Sequence, residues 1–279
     1  MSGGPHAGEG RRRRIRSSVA LFAAVTLAPL AVATAEARSC GDSPFAAAGV
    51  PRQPSSGAWA IDLRTGCEWG WGQTDRRYPM ASTAKVAVLS LALDRVATGA
   101  LAAAAVDALA RSMIERSDNA AATELWRLVG GSAAVDAHLR SLGLRQVAPW
   151  PTFGGVAMTP HDLAWLANRV VGAASALPDA LRDYARSPMT SVVRDQRFGV
   201  SAGVPAGWSV ALKDGWFLIR PIDRGVAGRW RVHSVGVVFS PQGRPAWALG
   251  VMGDEWPTMA AGVAEIERVS RAVAGALAR

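Results

Sequence analysis

Lysine is almost missing from this chain. Of its 31 basic residues only Lys85 and Lys213 are lysine, and the rest are arginine. An ammonium is compact and gives up its proton readily when buried, whereas a guanidinium stays charged. Two lysines kept in an arginine-rich chain therefore mark places where arginine cannot substitute. Histidine is scarce as well: His138, His161 and His233 are scattered without metal-ligand spacing, so they read as surface or packing residues and no metal site is expected. The two cysteines, Cys40 and Cys67, have no histidine near them in a pattern that would make either catalytic. No Gly-rich phosphate loop, internal repeat or mid-chain Gly/Ser linker is present. The apolar stretch from Val19 to Ala33 is too short and too proline-broken to span a membrane. Arginines are not clustered into a stripe interleaved with aromatics, which argues against nucleic acid as a partner.

What is there begins with a leader. Arg11 to Arg14 and Arg16 form a positive segment, Val19 to Ala33 an apolar one, and Ala33-Thr34-Ala35 and Ala35-Glu36-Ala37 offer small-residue cleavage sites. Residues 1–37 are therefore expected to be a signal peptide, with an uncleaved anchor as the alternative. Residues 38–279 are expected to form one domain of a secreted or cell-envelope protein. Residues 1–35 also carry +4 of the formal charge of +9, leaving a modest +5. In an exported chain, Cys40 and Cys67 are expected to pair as a disulfide.

Periodicity gives the order of elements. Gly57 to Leu63 and Cys67 to Gln73, joined by Arg64-Thr65-Gly66, read as a hairpin. A long Ala/Val/Leu helix runs from Ser82 to about Ala97, followed by helices over roughly 101–116, 119–129 and 132–142. Residues 144–158 are irregular, and Thr159-Pro160 caps and starts a further helix. Strand-like segments return at 209–219, 230–240 and 246–253. Met259, Val263, Ile266, Val269, Val273 and Leu277 then form one apolar face of a final helix. Two strands, many helices, three strands and one helix predict an α/β (α+β) fold, an antiparallel sheet built from both chain ends with a helical region inserted.

Both lysines lie in motifs. Ser82-Thr83-Ala84-Lys85 puts a hydroxyl and an amine three residues apart at a helix start, on one face. A serine is a weak nucleophile without a base, and a lysine walled off from water can supply one because desolvation disfavours its charged form. Alone the motif also suits a capped helix whose lysine points to water. It is followed, however, by Ser117-Asp118-Asn119 and then by Lys213-Asp214-Gly215. S-x-x-K, S-D-N and K-T-G in that order are the signature of β-lactamases and penicillin-binding proteins.

On these motifs, and on Arg77 to Val86 and Ser117 to Leu142 around them, the chain resembles the class A β-lactamase and penicillin-binding-protein superfamily of serine hydrolases. The resemblance implies that Ser82 is the acylated nucleophile and Lys85 its base. Ser117, assisted by Lys213, would pass a proton to the leaving nitrogen, and Asn119 would hold Lys85 and the substrate amide. The backbone N–H groups of Ser82 and Trp216 would form the oxyanion hole. Asp214, Gly215, Trp216 and Arg231 are the expected substrate contacts, with Arg231 standing in for a carboxylate-binding arginine whose usual place Ser234 occupies. No cofactor is implied. The partner would be a small-molecule β-lactam or a peptidoglycan peptide, and the protein is expected to be a monomer.

Four departures from the family pattern bear on function. Ser82 and Ser117 are only 35 positions apart, so the helical lobe is expected to be reduced. No acidic residue lies between Leu144 and Thr159, where the family carries the carboxylate that activates the deacylating water. Asp214 replaces threonine and would repel a substrate carboxylate. The fourth is the missing arginine at Ser234. Three readings stay open: hydrolysis of a β-lactam or related amide or ester, acyl transfer on a peptidoglycan peptide or other ester, and a non-catalytic ligand-binding protein on the same scaffold.

Overall fold

The computed structural model divides the chain into Met1–Ala37 and Arg38–Arg279; it describes residues 40–144 and 147–279, besides Met1 and Gly4. The expected signal peptide lies outside the described residues. The larger unit centres on five antiparallel strands: β1 (Ser56–Asp62), β2 (Glu68–Gly72), β5 (Ser209–Leu218), β6 (Trp230–Phe239) and β7 (Pro245–Trp256), in the order β2-β1-β7-β6-β5. A second, two-stranded sheet pairs β3 (Tyr78–Pro79) with β4 (Ala157–Met158). The helices are α1 (Pro44–Ala47), α2 (Lys85–Ala97), α3 (Ala103–Glu115), α4 (Asn119–Leu128), α5 (Gly131–Ser141), α6 (Pro160–Val171), α7 (Asp179–Thr190) and α8 (Met259–Leu277). The sheet is assembled from both ends of the unit, as the order of periodic segments predicts.

The pleat assigns each side of the sheet. Gly250 of β7 packs so closely on α6 that a Cβ there would lie 2.9 Å from Pro160 O and Ala164 N. Val232, paired with Gly253 and so of opposite parity, contacts Gly262 of α8. Helices thus cover both faces, which explains why β6 and β7 are apolar almost throughout. Cross-strand partners share a face. Lys213, paired with Val235 and through it with Gly250, therefore faces the α6 side. Asp214, paired with Ser234 and Val251, faces the α8 side.

On the α6 side lies α2. Its residues Lys85 to Leu93 are all buried, the pattern of a helix enclosed on every side; it packs against α3, α4, α5, α6 and α7. Two elements differ from expectation. The helix expected from Ser82 begins instead as a 3-10 turn, Ala81–Ala84, and becomes α-helical only at Lys85. The cause is Ala81, whose φ of +51° is left-handed and tightens the chain where it leaves β3. The helix α7 is not among the expected elements, although Leu181, Tyr184, Ala185 and Met189 give it an apolar face between the charged Asp179, Arg182, Asp183 and Arg186. Pro188 falls inside its last turn, where the missing N–H leaves the carbonyl of Tyr184 without its helical donor.

Cys40 and Cys67 are joined in a disulfide with Cα atoms 5.5 Å apart, tying the chain ahead of α1 to the start of β2. The bridge spans a sequence separation of 27 residues. Replacing both cysteines by serine is expected to lower the unfolding free energy by about 2–4 kcal/mol, read as a fall in the urea midpoint against the oxidised protein.

Candidate active site

The chain's two lysines are both fully enclosed, each with 0% of its surface exposed. Lys85 opens α2, and its Nζ donates to Ser117 O at 2.5 Å, Ser117 Oγ at 3.1 Å and Asn119 Oδ1 at 2.8 Å. All three acceptors are neutral, so the ammonium loses its hydration without gaining a hydrogen-bonded carboxylate. Burial holds the pKa of Lys85 down to about 7. The positive charge of Lys213 lowers it further, against a smaller upward pull from Asp118. From the remaining side the ring of Phe153 lies 5.4 Å from Nζ.

The acceptors are placed by the junction of α3 and α4. Ser117 takes a left-handed φ of +58°, which lets its carbonyl and its hydroxyl both meet Lys85. Asp118 then caps α4: its Oδ1 accepts from Ala120 N and Ala121 N, and its Oδ2 from Ser112 Oγ. Asn119, the first residue of α4, lines the cleft.

Ser82 lies one turn before Lys85. In a 3-10 turn, side chains three apart eclipse one another, so hydroxyl and amine share a side more closely than an α-helix would allow. Ala81 pays for this placement with a backbone conformation that costs of order 1–3 kcal/mol in a non-glycine residue. The turn is braced by Thr83 Oγ1 donating to Met80 O at 2.6 Å and by Met80 N donating to Val156 O at 2.7 Å. The Ser82 hydroxyl has no hydrogen-bond partner among the described residues. It opens onto a cleft of about 540 Å³ lined also by Asn119, Trp150, Phe153, Trp216, Phe217, Leu218, Arg224 and Arg231.

The third wall is β5. Gly215 lies behind Ser82, where a Cβ would sit 2.7 Å from Ser82 N and 2.8 Å from Thr83 N; only glycine permits that approach. Lys213, on the same face, donates Nζ to Asp214 O at 2.9 Å, and burial holds its pKa down. Phe217 lies further along this face, with the Arg231 guanidinium 4.9 Å from its ring centre. Arg231 is clamped by Asp254, Nε to Oδ1 at 2.9 Å and Nη2 to Oδ2 at 2.7 Å, and donates Nη2 to Arg224 O. Its Nη1 has no partner among the described residues. His233, also on this face, accepts Gly253 N–H at Nδ1 and meets Pro79 O at Nε2. Nε2 therefore carries the proton, and burial holds the imidazole pKa down to about 4.

The structure brings Ser82, Lys85, Ser117, Asn119, Lys213, Gly215, Trp216 and Arg231 together. Asp214 does not join them, which corrects its expected substrate contact. Neighbouring strand residues point to opposite faces, so with Lys213 toward the cleft Asp214 points away and is fully enclosed. Ser234 shares that far face, its Oγ accepting from Val200 N at 2.9 Å, whereas Arg231 takes the cleft face. Two tryptophans, Trp150 and Trp216, line the cleft; Trp71 is buried, and Trp69 Nε1 donates to Gly41 O. Glu115 and Glu124, which flank the S-D-N motif, are paired with Arg111 and Arg127. Sequence reasoning missed Phe153 and Arg224, since nothing local signals which loop residues will close over the site; His233 is a buried packing residue, one of the two roles expected of it from sequence.

A helix-covered antiparallel sheet, with a serine, an asparagine and two buried lysines converging on one cleft, defines a serine hydrolase scaffold of the β-lactamase kind. The model of the Beta-lactamase enzyme family matches residues 102–277, and the chain belongs to that family. The matched range begins downstream of Ser82 and Lys85. The β-lactamase FAR-1 of Nocardia farcinica (strain IFM 10152) is 37% identical over 120 residues, which make up 38% of this chain and 37% of that protein; the match spans little more than a third of that relative. A β-lactamase of Chitinophaga pinensis DSM 2588 superposes with a TM-score of 0.71 at 19% identity, over 84% of this chain and 97% of that one. One from Burkholderia vietnamiensis gives 0.68 at 25%, over 83% and 94%.

Gly215 supplies a direct test of the packing. Gly215→Ala is expected to cost about 1–3 kcal/mol of stability through overpacking, measured as a lowered denaturation midpoint; an unchanged midpoint contradicts the close approach of β5 to the Ser82 turn.

Proposed function

We propose that the protein is a serine acyl-transfer enzyme in which Ser82 attacks a β-lactam or a related amide or ester and becomes acylated. The observation that carries this reading is Lys85: a fully buried amine, hydrogen-bonded only to neutral acceptors, three residues from a cleft-lining serine. Uncharged, Lys85 takes the Ser82 proton as the Oγ–carbon bond forms. The developing oxyanion turns toward the backbone N–H groups of Ser82 and Trp216. Lys85 then passes the proton through Ser117 Oγ, 3.1 Å away, to the leaving nitrogen as the carbon–nitrogen bond breaks, and Lys213 supports the transfer with its charge. Asn119 holds the substrate amide, and Arg231, which lines the cleft, is the proposed partner of a substrate carboxylate.

The acyl-enzyme is proposed to be long-lived, as in penicillin-binding proteins. Where a water-activating carboxylate would be needed beside Lys85 stands Phe153, and the loop around it contains no acid. This favours acyl transfer on a peptidoglycan peptide over rapid β-lactam turnover. Export through residues 1–37 belongs to the same proposal; the Cys40–Cys67 bridge supports it, because such bonds persist in oxidising compartments.

Incubation with a labelled penicillin and, separately, with p-nitrophenyl acetate, followed by intact mass, tests the reading. A lasting adduct that maps to Ser82 and is absent from Ser82→Ala is expected. No adduct and no turnover with either probe would favour a ligand-binding protein, and an adduct lost within seconds would indicate a β-lactamase. Lys85→Ala should slow acylation by at least about 100-fold. In the unaltered protein the acylation rate should climb about tenfold per pH unit below the Lys85 midpoint near 7 and level off above it, because only the deprotonated amine accepts the serine proton.

A further inference from the structure

Asp214 is the residue that the preceding account leaves without a task. It is fully enclosed behind β5, its Oδ2 accepts Phe198 N–H at 2.7 Å, and its Oδ1 has no hydrogen-bond partner among the described residues. An ionised carboxylate in such a place is costly unless an opposite charge stands nearby. The neighbouring residue along the strand is Lys213, whose Nζ is bonded to no carboxylate but to the backbone oxygen of Asp214 itself.

Counting charges on the two sides of β5 decides more. Two lysines could be positive, Lys85 and Lys213. Around them His233 is neutral, and Arg231 and Asp254 cancel one another. Asp118 faces Lys85, but its carboxylate is engaged by Ser112 and two N–H groups of α4. From the segment before the 3-10 turn Gly199–Ser201, Arg197 acts on Asp214; from β6 Ser234 faces it; and α8 brings Ile266, which is uncharged, to the same layer. Two fully enclosed amines therefore stand on the cleft face, and the enclosed carboxylate of Asp214 stands on the opposite face of β5, behind Lys213. Two amines so enclosed tolerate one ammonium well and a second poorly.

We propose that Asp214 is a positioning residue that acts from behind the strand, holding Lys213 in its charged form and thereby keeping Lys85 neutral and able to accept the Ser82 proton. Asp214 raises the proton affinity of Lys213 against the burial that lowers it, and Lys213 lowers that of Lys85. Burial also raises the pKa of Asp214 itself to about 7, so its support of Lys213 acts where the carboxylate is ionised. The same side chain also fixes the oxyanion wall: it anchors Phe198, whose ring packs 5.7 Å from that of Trp216. The inference rests on Lys85 serving as the base for Ser82, but its electrostatic part is measurable without any substrate.

The scarcity of lysine makes the measurement clean. Full-length protein labelled with 15N and 13C only at lysine gives two side-chain signals, assigned with Lys213→Arg, and each is followed through a pH titration by NMR. In the unaltered chain Lys85 is expected to titrate below Lys213. In Asp214→Asn the Lys213 midpoint should fall by at least about one pH unit, a tenfold loss of proton affinity, and the Lys85 midpoint should rise. Asp214→Ser is read in the same way and serves if the asparagine variant does not fold. The proposal is overturned if Lys213 titrates below Lys85 in the unaltered chain, or if the Lys85 midpoint stays fixed or falls in either variant. With p-nitrophenyl acetate, the pH at which acylation levels off should rise with the Lys85 midpoint. If Ser82 is never acylated, the enzymatic reading fails, while the two lysine titrations still decide the role of Asp214.

Discussion

An ammonium shut away from water must be met by acceptors or lose its proton, and the architecture around Lys85 is arranged to meet that constraint on narrow terms. Three neutral oxygens from Ser117 and Asn119 hold Nζ in place, enough to fix its position but too little to secure its charge. The enclosure itself comes from α2, buried along its first nine residues, and from the sheet behind it. Two non-glycine residues on either side of the amine, Ala81 and Ser117, take left-handed backbone conformations. One strained point sets the turn that carries Ser82 and the other aims the hydroxyl and carbonyl of Ser117 at Lys85, and the well-packed elements that follow them, α2 and α4, hold the strain in place.

One strand then links chemistry to scaffold. Alternation along β5 sends Lys213, Gly215 and Phe217 toward the cleft and Asp214 toward the opposite layer. The absence of a side chain at Gly215 brings the strand against the backbone of Ser82. A shift of one residue in the β5–β6 register would exchange these faces, so the ten-residue pairing of β5 with β6 guards the site as much as the sheet. Arg231 reaches the cleft from β6 by the same alternation, tied to Asp254, while His233 on the same face is buried and bridges Pro79 and Gly253.

The legible parts of the sequence were those carried by period and by spacing. The hairpin, the C-terminal helix and the three late strands follow from periods of 2.0 and 3.6, and the order of the motifs named the residues that converge. Asp214 was misjudged because the motif was read as a string of contacts, although strand alternation already implies that residues 213 and 214 cannot face one cleft. The 3-10 geometry at Ser82 depends on a single dihedral at Ala81, for which alanine gives no sign. Helix α7 packs an apolar face against β5 and α3, but its density of charge and its internal Pro188 obscure it in the sequence. Phe153 covers Lys85 through loop closure, which involves residues with no pattern between them.

The enclosure of both lysines has a chemical corollary. Activated carbonyl compounds react with free alkyl amines, and a protein that handles them exposes its own side chains to that chemistry. Here no lysine amine reaches the folded surface; the surface cations are arginines, whose guanidinium groups stay protonated and are poor nucleophiles at neutral pH. The molecule thus offers an electrophile few side-chain targets apart from the hydroxyl in its cleft, and discrimination begins with the amino acids left off its exterior.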